Sequence, residues 1–81
     1  MKIINGKETL RAGEIAKLAG VPESTIKFYS FQGLLPYYQE GKKNKRYIKD
    51  ETLRRLDIIQ KYKKKRYTLP EILEKLEALN G

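Results

Sequence analysis

Lys42, Lys43, Lys45 and Arg46 place four cations within five consecutive positions, and Tyr47 follows at once. Like charges this close repel one another unless an anion is brought near. Arg forks, Lys ammonium groups and a Tyr hydroxyl all bond phosphate oxygens, so the cluster fits the binding of a polyanion. A second group, Ser24, Thr25, Lys27 and Phe28, gathers hydroxyls, one cation and an aromatic ring on a short segment. Donors of this kind suit the edges of stacked bases. The run Lys63 to Arg66 is less telling, because cations are favoured at a helix C-terminus without any partner.

The residue types that are absent narrow the chemistry further. The chain has neither Cys nor His, which removes zinc sites, Cys or His nucleophiles and imidazole bases. No pair of carboxylates has a suggestive spacing and the glycines stand apart, so the chain reads as a non-enzyme with no metal and no cofactor. Its 81 residues suffice for one domain, which at that size buries only about 60 to 65% of its unfolded surface. Little is left over for an internal substrate cavity. No apolar run approaches the roughly 18 residues of a membrane span, and the N-terminus is too short and polar for a secretory segment. A cytoplasmic location is the default expectation.

The net charge of +8 is regional. From Lys42 to Arg66 twelve basic residues stand against three acidic ones, while the rest of the chain carries six against seven. Such polarity points to nucleic acid ahead of an anionic membrane, because the basic segments lack a strong apolar face of Trp, Phe and Leu.

These groups need elements to position them. Residues 1–10 lack helical periodicity and read as an N-terminal arm, frayed or a short strand. Ile15, Ala16, Leu18 and Ala19 recur at helical spacing and stop at Gly20, which predicts a helix over 12–19. Pro22, read as a first-turn residue, and Glu23 open a second helix three residues later, running to Gln32, and Gly33 and Pro36 end it. Residues 12–33 are thus a helix-turn-helix. Ala16 is small where the helices cross, Ile15, Val21 and Ile26 plug the space between them, and Ser24, Lys27, Phe28 and Phe31 share the opposite face. That face is the one to enter a major groove. Tyr29 is assigned to the core, and Phe31, despite its place, to packing against a neighbouring helix.

Residues 37–48 read as a two-stranded hairpin turning at Glu40 to Asn44. Helices follow at 50–65, where Leu53, Leu56, Ile59 and Tyr62 recur, and at 69–79, capped by Thr68 and carrying a Leu69, Ile72, Leu73, Leu76 and Leu79 stripe. That stripe is expected to pack on the first and third helices. The fold class expected is mainly α with a small β-hairpin: a winged helix-turn-helix over 11–79, with four helices and a two-stranded wing.

RAGEIAKLAGVPESTIKFYSFQGLLP, followed by NKRYIKDETLRRLDIIQKYKKKRYTLPEILEKL, resembles the N-terminal winged-helix domain of the MerR family of transcription regulators over about residues 11 to 76. The resemblance implies a transcription-regulator domain that binds double-stranded DNA. Lys27 takes the place of the family's recognition-helix Arg, Phe28 and Tyr29 that of its aromatic pair, and Arg46 that of its wing Arg. Lys27 lacks the fork that reads guanine, Phe28 lacks a phosphate-bonding hydroxyl, Lys45 replaces a common Tyr and Lys49 a usual capping Ser. Family members continue into a long dimerisation helix. The chain is therefore expected to be either part of a longer regulator or a free-standing winged-helix factor, and to assemble as a homo-oligomer on DNA or through such a segment. Two alternatives stay open: an excisionase-like DNA-architectural factor binding as adjacent monomers, and an RNA-binding protein whose aromatics stack on unpaired bases.

Overall fold

A computed structural model describes residues 2–42 and 44–80. The elements in chain order are β1 (Lys2–Ile4), β2 (Lys7–Leu10), α1 (Ala12–Ala19), α2 (Glu23–Phe31), β3 (Tyr38–Glu40), β4 (Asn44–Ile48), α3 (Lys49–Lys64) and α4 (Leu69–Asn80). They make a winged helix-turn-helix, with β3 and β4 as the wing.

α1 starts where Glu14 folds back to accept the Arg11 amide at 2.9 Å, satisfying a donor the helix itself leaves free. It stops at Gly20, whose φ of 70° a side chain would resist, and the Gly20 and Val21 amides both close onto the Ala16 carbonyl. Pro22 stands just outside α2 as its N-cap, with φ −64° and ψ 148°, one position earlier than the first-turn place expected from its ring. At the other end Gln32 caps α2, and the Leu34 amide reaches the Tyr29 carbonyl at 2.9 Å. Ile15 and Ile26 are wholly buried and Val21 packs against them, so the plug between the two helices is as the spacing predicts.

Residues 2–10 form a β-hairpin, where the sequence suggested an arm, frayed or a short strand. β1 and β2 pair as Lys2 with Thr9, Ile3 with Glu8 and Ile4 with Lys7 around a two-residue turn at Asn5 and Gly6. Both turn residues have positive φ, 53° and 76°, the mirror-image turn geometry that matches strand twist. β2 then pairs with β4 through Thr9 with Ile48 and Leu10 with Tyr47, giving one antiparallel sheet ordered β1-β2-β4-β3. A Lys49 to Glu8 ion pair at 3.5 Å joins the start of α3 to β2.

α3 buries Thr52, Leu56 and Ile59, and α4 buries Ile72 and Leu76 beside them. The buried part of the stripe read along α4 ends there: Leu79 is 66% exposed, at the rim of a cleft with Arg54, Arg55 and Ile58 of α3. Thr68 caps α4 as expected. Its amide and hydroxyl donate to the Glu71 carboxylate at 2.9 and 2.8 Å, and these bonds hold that carboxyl below the usual range. Among the described residues no helix is long and apolar enough to cross a membrane.

Candidate nucleic-acid interface

α2 divides its residues cleanly. Ile26, Tyr29 and Ser30 turn inward, and Ser24, Lys27, Phe28 and Phe31 face out. The helix thus buries a serine and exposes a phenylalanine one position later. Ser30 is tolerated inside because its hydroxyl is fully used. It donates to the Ile26 carbonyl at 2.8 Å and lies 2.6 Å from the Tyr47 hydroxyl. With the only Ser30 hydroxyl proton committed to Ile26, Tyr47 must be the donor in the second bond. Phe31 is 85% exposed, so the packing role expected for it is not what the fold gives: the turn at Gly33 carries the chain to Leu34 and Leu35, which fill the core in its place.

Between α2 and the wing lies an open groove of ≈ 810 Å³. Ser24, Lys27, Phe28 and Phe31 form one wall, and Lys42, Asn44 and Lys45 form the other. Arg11, at the start of α1, also lines it. Neither Lys27 nor Lys42 forms an ion pair with any described residue. Lys45 is aimed by the wing itself, its ammonium lying 4.7 Å above the Tyr37 ring. One acid, Glu23, shares the groove, and its carboxylate lies against Gly13 in the first turn of α1, where the helix dipole favours it.

The structure sorts the nine residues singled out in the sequence. Ser24, Lys27, Phe28, Lys42 and Lys45 meet at the groove, and Tyr47 lies in its floor. Thr25 is half-buried on the other flank of α2, in a shallow cleft with Ser24, Phe28, Tyr29 and Lys63. Arg46 follows Lys45 on β4, so strand alternation turns its side chain to the opposite face, and it does not line the groove. Lys43 lies outside the described residues. Tyr47 requires correction as a phosphate contact. It is wholly buried, its ring packs at 6.0 Å from Tyr37, and its hydroxyl is bonded to Ser30. It ties the wing to α2, and burial raises its pKa by penalising the phenolate.

At this surface Arg11 escaped the sequence reading, and Lys63 was given little weight there. Arg11 occupies an N-cap, where Ser, Thr, Asp or Asn is usual, and that misfit was the available signal. Lys63 looked like a helix-end cation, yet its ammonium reaches the Tyr29 hydroxyl at 3.3 Å, which sets it on the flank of α2.

The model of the MerR HTH family regulatory proteins matches residues 10–79. The HTH-type transcriptional regulator CueR of Bacillus subtilis (strain 168) is 40% identical over 74 residues, covering 91% of this chain and 51% of that protein. The mercuric resistance operon regulatory protein of Bacillus cereus is 36% identical over 62 residues, covering 76% and 47%. Among solved structures, HiNmlR, a MerR family regulator lacking the sensor domain and bound to promoter DNA, superposes with a TM-score of 0.73 at 27% identity. The match covers 89% of this chain and 55% of that one. The chain thus spans about half the length of the relatives it matches.

Proposed function

Since this chain belongs to the MerR family of helix-turn-helix regulatory proteins, we propose that residues 11–79 are a DNA-binding domain of a transcription regulator, acting in the cytoplasm on promoter DNA. The observation that carries the proposal is the groove: cations from two separate elements, Lys27 on α2 and Lys42 and Lys45 on the wing, converge on one open face. A convex helix flanked by such cations fits a major groove with its phosphate rims.

In this arrangement α2 lies in the major groove with Ser24 and Thr25 near base edges at its N-terminal end. Lys27 donates to a base acceptor or an adjacent phosphate. Lys42 and Lys45, with Lys43, hold the backbone on the wing side, and Arg11 adds a contact from the start of α1. Arg46 strengthens the field from the far face of β4, and Lys63 holds the strand on the other flank of α2. Tyr47 acts through position, since its bond to Ser30 sets the distance between wing and helix. Promoter recognition by two copies, as a homo-oligomer, follows from the family and is part of the proposal.

Family membership favours a regulator over the excisionase-like factor, and the groove favours duplex over single strands. The direct test is competition binding with duplex DNA, duplex RNA and single strands of matched length and sequence. Duplex DNA is expected to compete best, by tenfold or more over RNA. Preferential binding of RNA would overturn the proposal.

A further inference from the structure

We propose that Phe31 and Phe28 are base-reading residues and that they select thymine through its C5-methyl group; the inference rests on the DNA-binding reading above. Phe31 is 85% exposed and Phe28 48% exposed, and both lie in the wall of the groove. Phe28 has one ring neighbour, Tyr29, tilted at 6.0 Å, and no ring contact is present for Phe31 among the described residues. Single exposed apolar residues are ordinary on protein surfaces. These two differ in their surroundings: Lys27 stands beside them and Lys42 and Lys45 face them across the groove. Charges so arranged suit a polyanion.

The same wall of α2 offers Ser24 and Lys27 as its other contacts, while the groove's guanidinium, Arg11, and carboxamide, Asn44, lie on other elements. Beside these few hydrogen-bonding groups, the two rings are the largest surface that α2 presents to a base edge. In the major groove the apolar group on a base edge is the thymine methyl, and an aromatic ring is a suitable surface to bury it. Phe28 and Phe31 are three residues apart, a rise of about 4.5 Å along α2, which matches one to two base steps. The target is thus expected to hold two thymines within two base pairs of each other, facing the middle and C-terminal part of α2.

The experiment starts by selecting tight binders from a random-sequence duplex DNA library with the full chain, then resynthesising the best duplex with deoxyuridine for each thymine. Deoxyuridine removes the methyl and leaves pairing intact. Loss of each contacted methyl is expected to weaken binding about fourfold. Phe31→Ala should lose about the same factor on the thymine duplex and become indifferent to deoxyuridine at one position, while Phe31→Leu retains most of the discrimination. Because Phe31 is exposed, circular dichroism of Phe31→Ala should match the parent chain. Equal affinity for thymine and deoxyuridine duplexes would overturn the inference and leave DNA binding standing; failure to bind any duplex would overturn both. Tighter binding to unpaired thymines than to the duplex would mean that the rings stack on bases, and would also overturn it. So would self-association without DNA that Phe31→Ala abolishes.

Discussion

The two hairpins share one sheet and differ at their turns. β1 and β2 reverse through Asn5 and Gly6, two residues with positive φ whose conformations are set by backbone geometry alone. β3 and β4 reverse between Glu40 and Asn44, a longer loop in which Lys42 lies, with Lys45 following on β4. The first turn minimises length and exposes little that could bind. The second brings mutually repelling cations to a tip, an arrangement that costs stability unless an anion relieves it. Between them β2 and β4 pair through Leu10 and Tyr47, and both side chains enter the core. The lesson is a division of labour within one sheet: the N-terminal hairpin braces the base of the wing, and the wing tip carries the charge. In keeping with this, the family match begins at residue 10 and leaves most of the bracing hairpin outside it.

The comparison breaks most severely at the shared seam. Leu10→Ala removes a buried side chain from the pair that joins the hairpins and is expected to cost about 2 to 4 kcal/mol, read by urea unfolding. A loss below about 1 kcal/mol would mean that β2 does not brace the wing. Tyr47→Phe keeps the ring but removes the donor to Ser30, with an expected cost of about 1 kcal/mol. It also carries a pH dependence. Burial raises the folded-state pKa of Tyr47, so its contribution is complete below the unfolded value near pH 10 and is lost as pH rises through the folded value. Tyr47→Phe should therefore show a smaller fall in stability between pH 9 and 11 than the parent chain. The smallest expected effect is at the uncharged turn. Gly6→Ala puts a side chain at φ 76° in open space, at a cost of about 1 kcal/mol, and should leave DNA affinity unchanged in filter-binding assays.

Much of the helical frame was legible because its signals are local. Gly20 stops α1, Thr68 and Glu71 form a capping pair, and the Ile15, Val21 and Ile26 plug follows from helical spacing. The Asn5–Gly6 turn was present in the sequence as well, but strands of three and four residues carry too little alternation to announce a hairpin. Its partner β4 lies far along the chain, and no local pattern encodes that pairing. The same non-local choice decided Tyr47. Beside Arg46 it looked like a phosphate ligand, yet β2 and α2 determine which face of β4 is buried, and that face carries Tyr47. Phe31 misled by residue type, because an aromatic ring can be left exposed in a groove. Arg11 was passed over because only the folded chain brings the start of α1 beside the wing.

The division between brace and tip is decided by the salt dependence of duplex binding. If four to six phosphates are neutralised at the groove, log K should fall against log salt concentration with a slope of about −4 to −5. Replacing Lys42 and Lys45 together by Ala should make that slope shallower by about two, with urea stability within about 0.5 kcal/mol of the parent. A slope near zero, or one that the double replacement leaves unchanged, would contradict the assignment of the wing tip to the phosphate backbone.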